Sequence, residues 1–263
     1  MVSPLPGGPG RKVMQPRYDA IGRDYARFRR EDPRFRARIR GALGDARSVA
    51  NVGAGAGSYE PDDLRVVAIE PSEVMLAQRT PGRARVIRAR ASQLPLRAGA
   101  VDAAMAILSL HHWDAERERG VRELRRVARG PVVLVSYDAR ISSRMWLMTD
   151  YLPEVAALDR ATFPDPEQLA AWLGGDVRVE PMPVPRDTPD WMLGSYWAHP
   201  ERVLDAQARA ATSGFARMPE AVVERVVGAL TRDFADGSWE RKHGWLRGLS
   251  EHDVGLRLIV ARP

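Results

Sequence analysis

The chain has no cysteine, which excludes disulfides, thiolate metal ligands and a cysteine nucleophile. Lysine is nearly absent too: Lys12 and Lys242 stand alone, so arginine supplies almost all of the 40 basic side chains. Long apolar runs are missing, and none approaches the roughly eighteen residues that a membrane span requires. The opening MVSPLPGGPGRKV is rich in proline and glycine, not apolar as a secretory leader would be. Beyond that opening there are no repeats or low-complexity stretches. These absences lead to the expectation of a cytoplasmic, soluble protein without a membrane partner or a metal, whose residues 1–15 form a disordered tail.

What is present points to a sizeable core. With 263 residues and 44% hydrophobic side chains, the chain suffices for one large domain or a domain carrying an insertion. The net charge of +6 is concentrated. Residues 16–40 hold nine arginines against Asp19, Asp24, Glu31 and Asp32. This segment reads either as a solvated helix face or as a contact for an anion.

From Asp45 to Asp138, short apolar runs alternate with helical patterns. The runs are SVANV (48–52), VVAIE (66–70), ARVIRA (84–89), VDAAMAIL (101–108) and VVLVSY (132–137). Near-continuous apolar strands fit a sheet covered on both faces. In DAERERGVRELRRVARG, Val121, Leu124 and Val127–Ala128 form a helical stripe, and Gly130 followed by Pro131 ends it. The alternation predicts a doubly wound parallel sheet. Runs at 176–184 and 253–261 add two strands. The organisation expected is a basic helical lid at 16–44, a core at 45–140, a helical insertion at 141–175, and last strands at 176–263 enclosing an aromatic-rich cap at 186–250.

In VANVGAGAGSYEP, Gly53, Gly55 and Gly57 occupy alternate positions directly after the first strand. Glycine is costly to order, so a turn this rich in it implies backbone that something approaches closely. That turn lies at the carboxyl edge of the sheet, where open α/β folds bind ligands. A dinucleotide fold would place its third glycine at Ser58, which speaks against a nicotinamide cofactor. Glu70 ends the second strand, where a carboxylate can accept both hydroxyls of an adenosine ribose. Taken alone, it also reads as a cap for the following helix, a reading that loses ground beside the glycines.

NVGAGAGSYEP, VVAIEPSEVMLAQR, RARASQLPLRAGAVDAAMAILSLHHW and VRELRRVARGPVVLVSYD together resemble a class I S-adenosylmethionine-dependent methyltransferase. The closest likeness is to its small-molecule, methyltransferase type 11-like branch, over residues 45–138. The resemblance implies a Rossmann-like, mostly parallel seven-stranded sheet with a helical lid inserted near the C-terminus. It also implies S-adenosylmethionine as cofactor and S-adenosylhomocysteine as product. Gly53, Ala54, Gly55 and Gly57 would line the cofactor, Glu70 hold its ribose, and Pro71 and Met75 pack near its adenine. Ala91, Ser92, Gln93 and Leu94 would meet the adenine's polar edge, with Leu108 and Ser109 beneath the sulfonium. Two positions depart from the family. Asn51 stands where an acid usually receives the cofactor's ammonium, and its amide oxygen accepts without charge assistance. Arg90 stands where an acid commonly accepts from the adenine amino group, so Ser92 or Gln93 must supply that contact.

The acceptor is expected to be a small, partly apolar metabolite methylated on oxygen, nitrogen or carbon, in secondary metabolism. A sharper variant is an anion such as a prenyl diphosphate, held by the arginine-rich segment. Methyl transfer needs a base only when the nucleophile must lose a proton. His111 and His112 are the candidates for that role, or else pack against Trp113 and the backbone. Tyr18, Tyr25 and Arg27 on the N-terminal helix are candidate substrate contacts. So are Asp150, Tyr151 and Glu154 after the fifth strand, and Trp191 and Tyr196 in the cap. The alternatives are a tRNA or rRNA methyltransferase, or a non-catalytic S-adenosylmethionine binder. The fourth motif ILSLHHW lacks the signature of enzymes that methylate exocyclic base amines, so nucleic acid is not the expected partner. Monomer and homodimer both stay open.

Overall fold

Side chains alternate across a strand, so a run that is apolar throughout folds stably only when both faces of its sheet are covered. The computed structural model, which describes residues 28–82 and 84–263, builds that arrangement. Its strands are β1 (Ser48–Val52), β2 (Arg65–Ile69), β3 (Arg85–Ile87), β4 (Ala103–Ile107), β5 (Val132–Tyr137), β6 (Asp176–Pro181), β7 (Val184–Pro185), β8 (Glu251–His252) and β9 (Leu256–Arg262). Seven form one sheet in the order β3-β2-β1-β4-β5-β9-β6, and β7 pairs with β8. Strands β1 to β5 run parallel, while β9 lies antiparallel between β5 and β6. The mostly parallel, doubly wound sheet is thus present.

Val49, Met105 and Val133 face one core, shared with Phe35 and Ile39 of α1 (Pro33–Ala42). Ala50, Ala104 and Leu134 face the other, covered by α2 (Arg117–Val127) and α4 (Pro166–Leu173). The α2 stripe is buried as the sequence implied, at Val121, Leu124 and Val127. Leu124→Ala is expected to cost about 2–5 kcal/mol through lost transfer energy and the cavity left behind. A lowered urea midpoint with an unchanged slope would register it.

The ends of two strands differ from expectation for local reasons. The run at 176–184 breaks after Pro181, because Pro181, Pro183 and Pro185 each lack the amide a ladder needs. The last strand begins at Leu256, after a turn in which Gly255 adopts φ +88° and donates to Asp253 Oδ1. The inserted elements share a core with the sheet. Trp146, Trp197 and Trp239 are buried in the same cluster as Val49 and Val133. They come respectively from the turn before α3 (Pro153–Thr162), from the segment preceding α5 (Glu220–Ala235), and from α6 (Ser238–His243). The described part of the basic N-terminal segment supplies α1, capped by Asp32 and opened by Pro33; residues 16–27 lie outside the described residues. Strand order reverses between β1 and β4, and the crevice at that switch is where this architecture takes ligands.

Candidate functional site

A cavity of about 470 Å³ opens at that switch point, lined from the ends of β1, β2 and β4. The glycine turn forms its floor. Gly53, Gly55 and Gly57 have φ of +70°, +51° and +96°, the left-handed region that side chains disfavour. The amides of Gly53 and Ala54 both donate to the Ile69 carbonyl, at 2.9 and 3.0 Å, folding the turn back onto β2. A Cβ at Gly53 would stand 2.5 Å from that of Ser109, so close approach of β4 also demands glycine there.

Behind the turn runs a buried polar chain with no local sequence signal. Arg79 Nη1 donates to the Gly55 carbonyl at 3.2 Å, and its Nη2 pairs with Glu60 Oε2 at 2.6 Å. Glu60 Oε1 in turn accepts from Asn51 Nδ2 at 3.0 Å. With its amide nitrogen held by Glu60, Asn51 keeps its Oδ1 as an acceptor, and the residue lines the cavity. Glu70 Oε2 accepts from the Gly55 amide at 2.8 Å and Oε1 from the Ser72 amide at 2.9 Å. Glu70 thereby anchors the next helix, and it also lines the cavity.

Ala54, Pro71, Met75, Ala91, Ser92, Leu108 and Ser109 line the same cavity. Gly57, Gln93 and Leu94 do not: Gly57 packs under the Arg79 guanidinium, and the Leu94 amide is bound to Glu123. Arg90 lines the cavity, and the acid missing from its position is offset from elsewhere. Glu116, also on the cavity wall, accepts from Ser92 Oγ at 2.9 Å. Three non-glycine residues among those described have positive φ, namely Tyr59 (+63°), Leu108 (+51°) and Asp114 (+47°). All three line this cavity, and strain of this kind gathers at functional sites.

Two segments far apart in sequence close over the cavity. Arg29 and Asp190 form a β-bridge and an ion pair at 2.5 Å, and the Trp191 amide donates to the Phe28 carbonyl at 2.9 Å. Trp191 packs at a tilt against Phe28, and the Arg202 guanidinium lies over its ring, while Trp191 itself does not line the cavity. His112 lines the main cavity. His111 instead lines an adjoining one, with its ring 3.8 Å from that of His112 and 4.8 Å from Phe163.

Other residues singled out in the sequence point elsewhere. Asp150 pairs with Lys242 and His243, Tyr151 donates to Asp233 at 2.5 Å, and Glu154 pairs with Arg225. These bonds clamp α3 and the turn before it to α5 and α6, which turns all three side chains away from the cavity. Tyr196 is wholly buried, and burial raises its pKa so that the phenol stays protonated. Tyr18, Tyr25 and Arg27 lie outside the described residues. Arg34, Arg36, Arg38 and Arg40 pair with Asp32 and Asp187, Glu31 and Asp62, Glu180, and Asp63. Acids distant in sequence thus offset the local excess of positive charge.

Residues 50–135 match the model of a methyltransferase domain. A structure from Anabaena variabilis ATCC 29413, described as a methyltransferase from an antibiotic biosynthesis pathway, is 31% identical. The match covers 90% of this chain and 99% of that one, with a TM-score of 0.83. Phosphoethanolamine N-methyltransferase 2 of Haemonchus contortus, in complex with S-adenosyl-L-methionine, is 15% identical with a TM-score of 0.53. That match covers 87% of this chain and 52% of the other, and it shows a shared fold. No curated protein matches the chain.

Proposed function

The chain belongs to the class I S-adenosylmethionine-dependent methyltransferases, of the type 11-like kind, and from that premise we propose that it methylates a small, partly apolar metabolite in secondary metabolism. The observation that carries this reading is the cavity at the β1/β4 switch, with Glu70 and a bare glycine turn on its walls. The donor set suits the cofactor. Glu70 would accept from the ribose hydroxyls, Asn51 Oδ1 from the ammonium, and Met75 would pack against the adenine. The adenine amino group would meet Ser92 together with Glu116. When bound, the cofactor supplies an electrophilic methyl group on a sulfonium.

Much of the barrier to such a displacement falls to alignment and exclusion of water. The Arg29–Asp190 bridge supports that role, since both residues line the cavity and the Phe28–Trp191 contact packs beside them. His112 lines the cavity and His111 the adjoining one, so each can exchange a proton with an acceptor in its own compartment. The relative from Anabaena variabilis, at 31% identity, supports a place in secondary metabolism. The test is calorimetric titration with S-adenosylhomocysteine, followed by incubation with methyl-labelled cofactor and a fractionated metabolite extract. One site per chain and label in a low-molecular-weight product are expected. Label recovered only in RNA would defeat the reading.

A further inference from the structure

Beside the cofactor cavity lies a second one of about 60 Å³, joined to it through Arg29 and Leu108, which line both. Met145, Met148, Met192 and Phe163 make up much of its apolar wall. Methionine walls adapt to varied shapes. Ser142, Tyr137 and Asp159 are among the polar side chains that face this space. The buried Ser142 hydroxyl has no hydrogen-bond partner among the described residues. The Tyr137 hydroxyl donates to the Met192 thioether at 3.4 Å and meets the Gly194 backbone. The Asp159 carboxylate makes neither a hydrogen bond nor an ion pair with any described residue. Buried polar groups are ordinarily satisfied, so the orphaned Ser142 hydroxyl, in a chamber that the Asp159 carboxylate also lines, calls for a bound polar group.

Resting on the methyltransferase reading, we propose that this chamber seats the reacting end of the acceptor, an aliphatic or aromatic hydroxyl, and that Asp159 is its general base. The space holds about four waters, enough for a hydroxyl and a few carbons while the rest of the molecule extends outward. Leu108, strained at φ +51°, stands between the two compartments. An ammonium end is disfavoured, because Arg29 lines the chamber and Arg160 and Arg217 act on Asp159. In the transfer, the hydroxyl oxygen forms the new bond to the methyl carbon and its proton passes to Asp159. The carbon–sulfur bond breaks with its electron pair kept on sulfur. His111 packs against Phe163 at the chamber wall, and Tyr137 is held protonated by burial, so it serves as donor rather than base.

Burial pushes the Asp159 carboxyl up to about 7, against the pull of Arg217 and Arg160. The groups facing it are Arg29, His111 and Tyr137 across the cavity, with Arg160 and Arg217 nearby. Its folded pKa lies above the unfolded one, so its ionisation favours unfolding. The cost grows from about pH 4 and is complete above pH 7. Asp159→Asn should therefore melt higher than wild type near pH 8.5 and at the same temperature near pH 4.

The deciding experiment uses the full chain saturated with S-adenosylhomocysteine and labelled with carbon-13 at aspartate carboxyls and methionine methyls. The probes are 1-butanol and its isomer diethyl ether, which cannot donate a proton. The resonance missing in Asp159→Asn should titrate near neutrality and shift with 1-butanol, together with the Met145, Met148 and Met192 methyls. The alcohol should bind about tenfold tighter than the ether, and Asp159→Asn should remove most of that preference. Equal binding of the two isomers, no shift of these resonances, or tighter binding of butylamine would overturn the assignment. Failure of the protein to bind S-adenosylhomocysteine would instead count against the family-level reading of the cofactor cavity.

Discussion

Glu70→Ala should abolish the thermal stabilisation that S-adenosylhomocysteine confers on the wild-type protein. The carboxylate is buried at the end of β2 and already accepts from the Gly55 and Ser72 amides. Removing it takes away the acceptor for the ribose and also strips a partner from the Gly55 amide of the turn and the Ser72 amide at the next helix. Glu70→Gln separates these effects. It keeps the shape but turns one oxygen into a donor, which must face either an amide N–H or a ribose hydroxyl. An affinity loss of roughly tenfold to a hundredfold is expected from one charge-assisted bond, with circular dichroism unchanged. Full affinity in Glu70→Ala, measured by calorimetry, would remove the basis for placing the nucleoside in this cavity.

Arg79→Ala should be the most destabilising single change near the site. Arg79 and Glu60 are both withdrawn from water, and the pair also holds the Gly55 carbonyl and Asn51. Deleting one partner strands a buried charge, at a cost of about 3–5 kcal/mol. The effect should appear as a lower urea midpoint together with weaker S-adenosylhomocysteine binding, since the turn loses its brace. Combining Arg79→Met with Glu60→Gln removes the stranded charge, so stability should recover well ahead of affinity. If stability and affinity returned in step, the chain would not be bracing the turn separately from the fold.

Much of this was legible locally. The apolar runs of β1, β2, β4 and β5 and the α2 stripe were readable because burial on both faces of a sheet imposes a pattern that neighbours share. The glycine turn and Glu70 were readable because a single β–turn–helix–β unit brings them together. Asp150, Tyr151 and Glu154 do not line the cavity, and their position after β5 says nothing about which way their helix faces. Their partners Lys242, Asp233 and Arg225 lie 92, 82 and 71 residues further on. The arginine-rich segment was read as a charge excess because its counter-charges, from Asp63 to Asp190, come from other parts of the chain.

By itself the sequence determined the sheet, the turn at its carboxyl edge and the acid on the adjacent strand, because each depends on residues close along the chain. The tertiary structure alone decided which carboxylates meet the cavity. Glu60 was drawn behind the turn by Arg79, Glu116 was brought beside Ser92, and Asp159 was left among methionines. A charge's role is set by what surrounds it in space, and those neighbours are chosen by the packing of helices that the sequence places far apart.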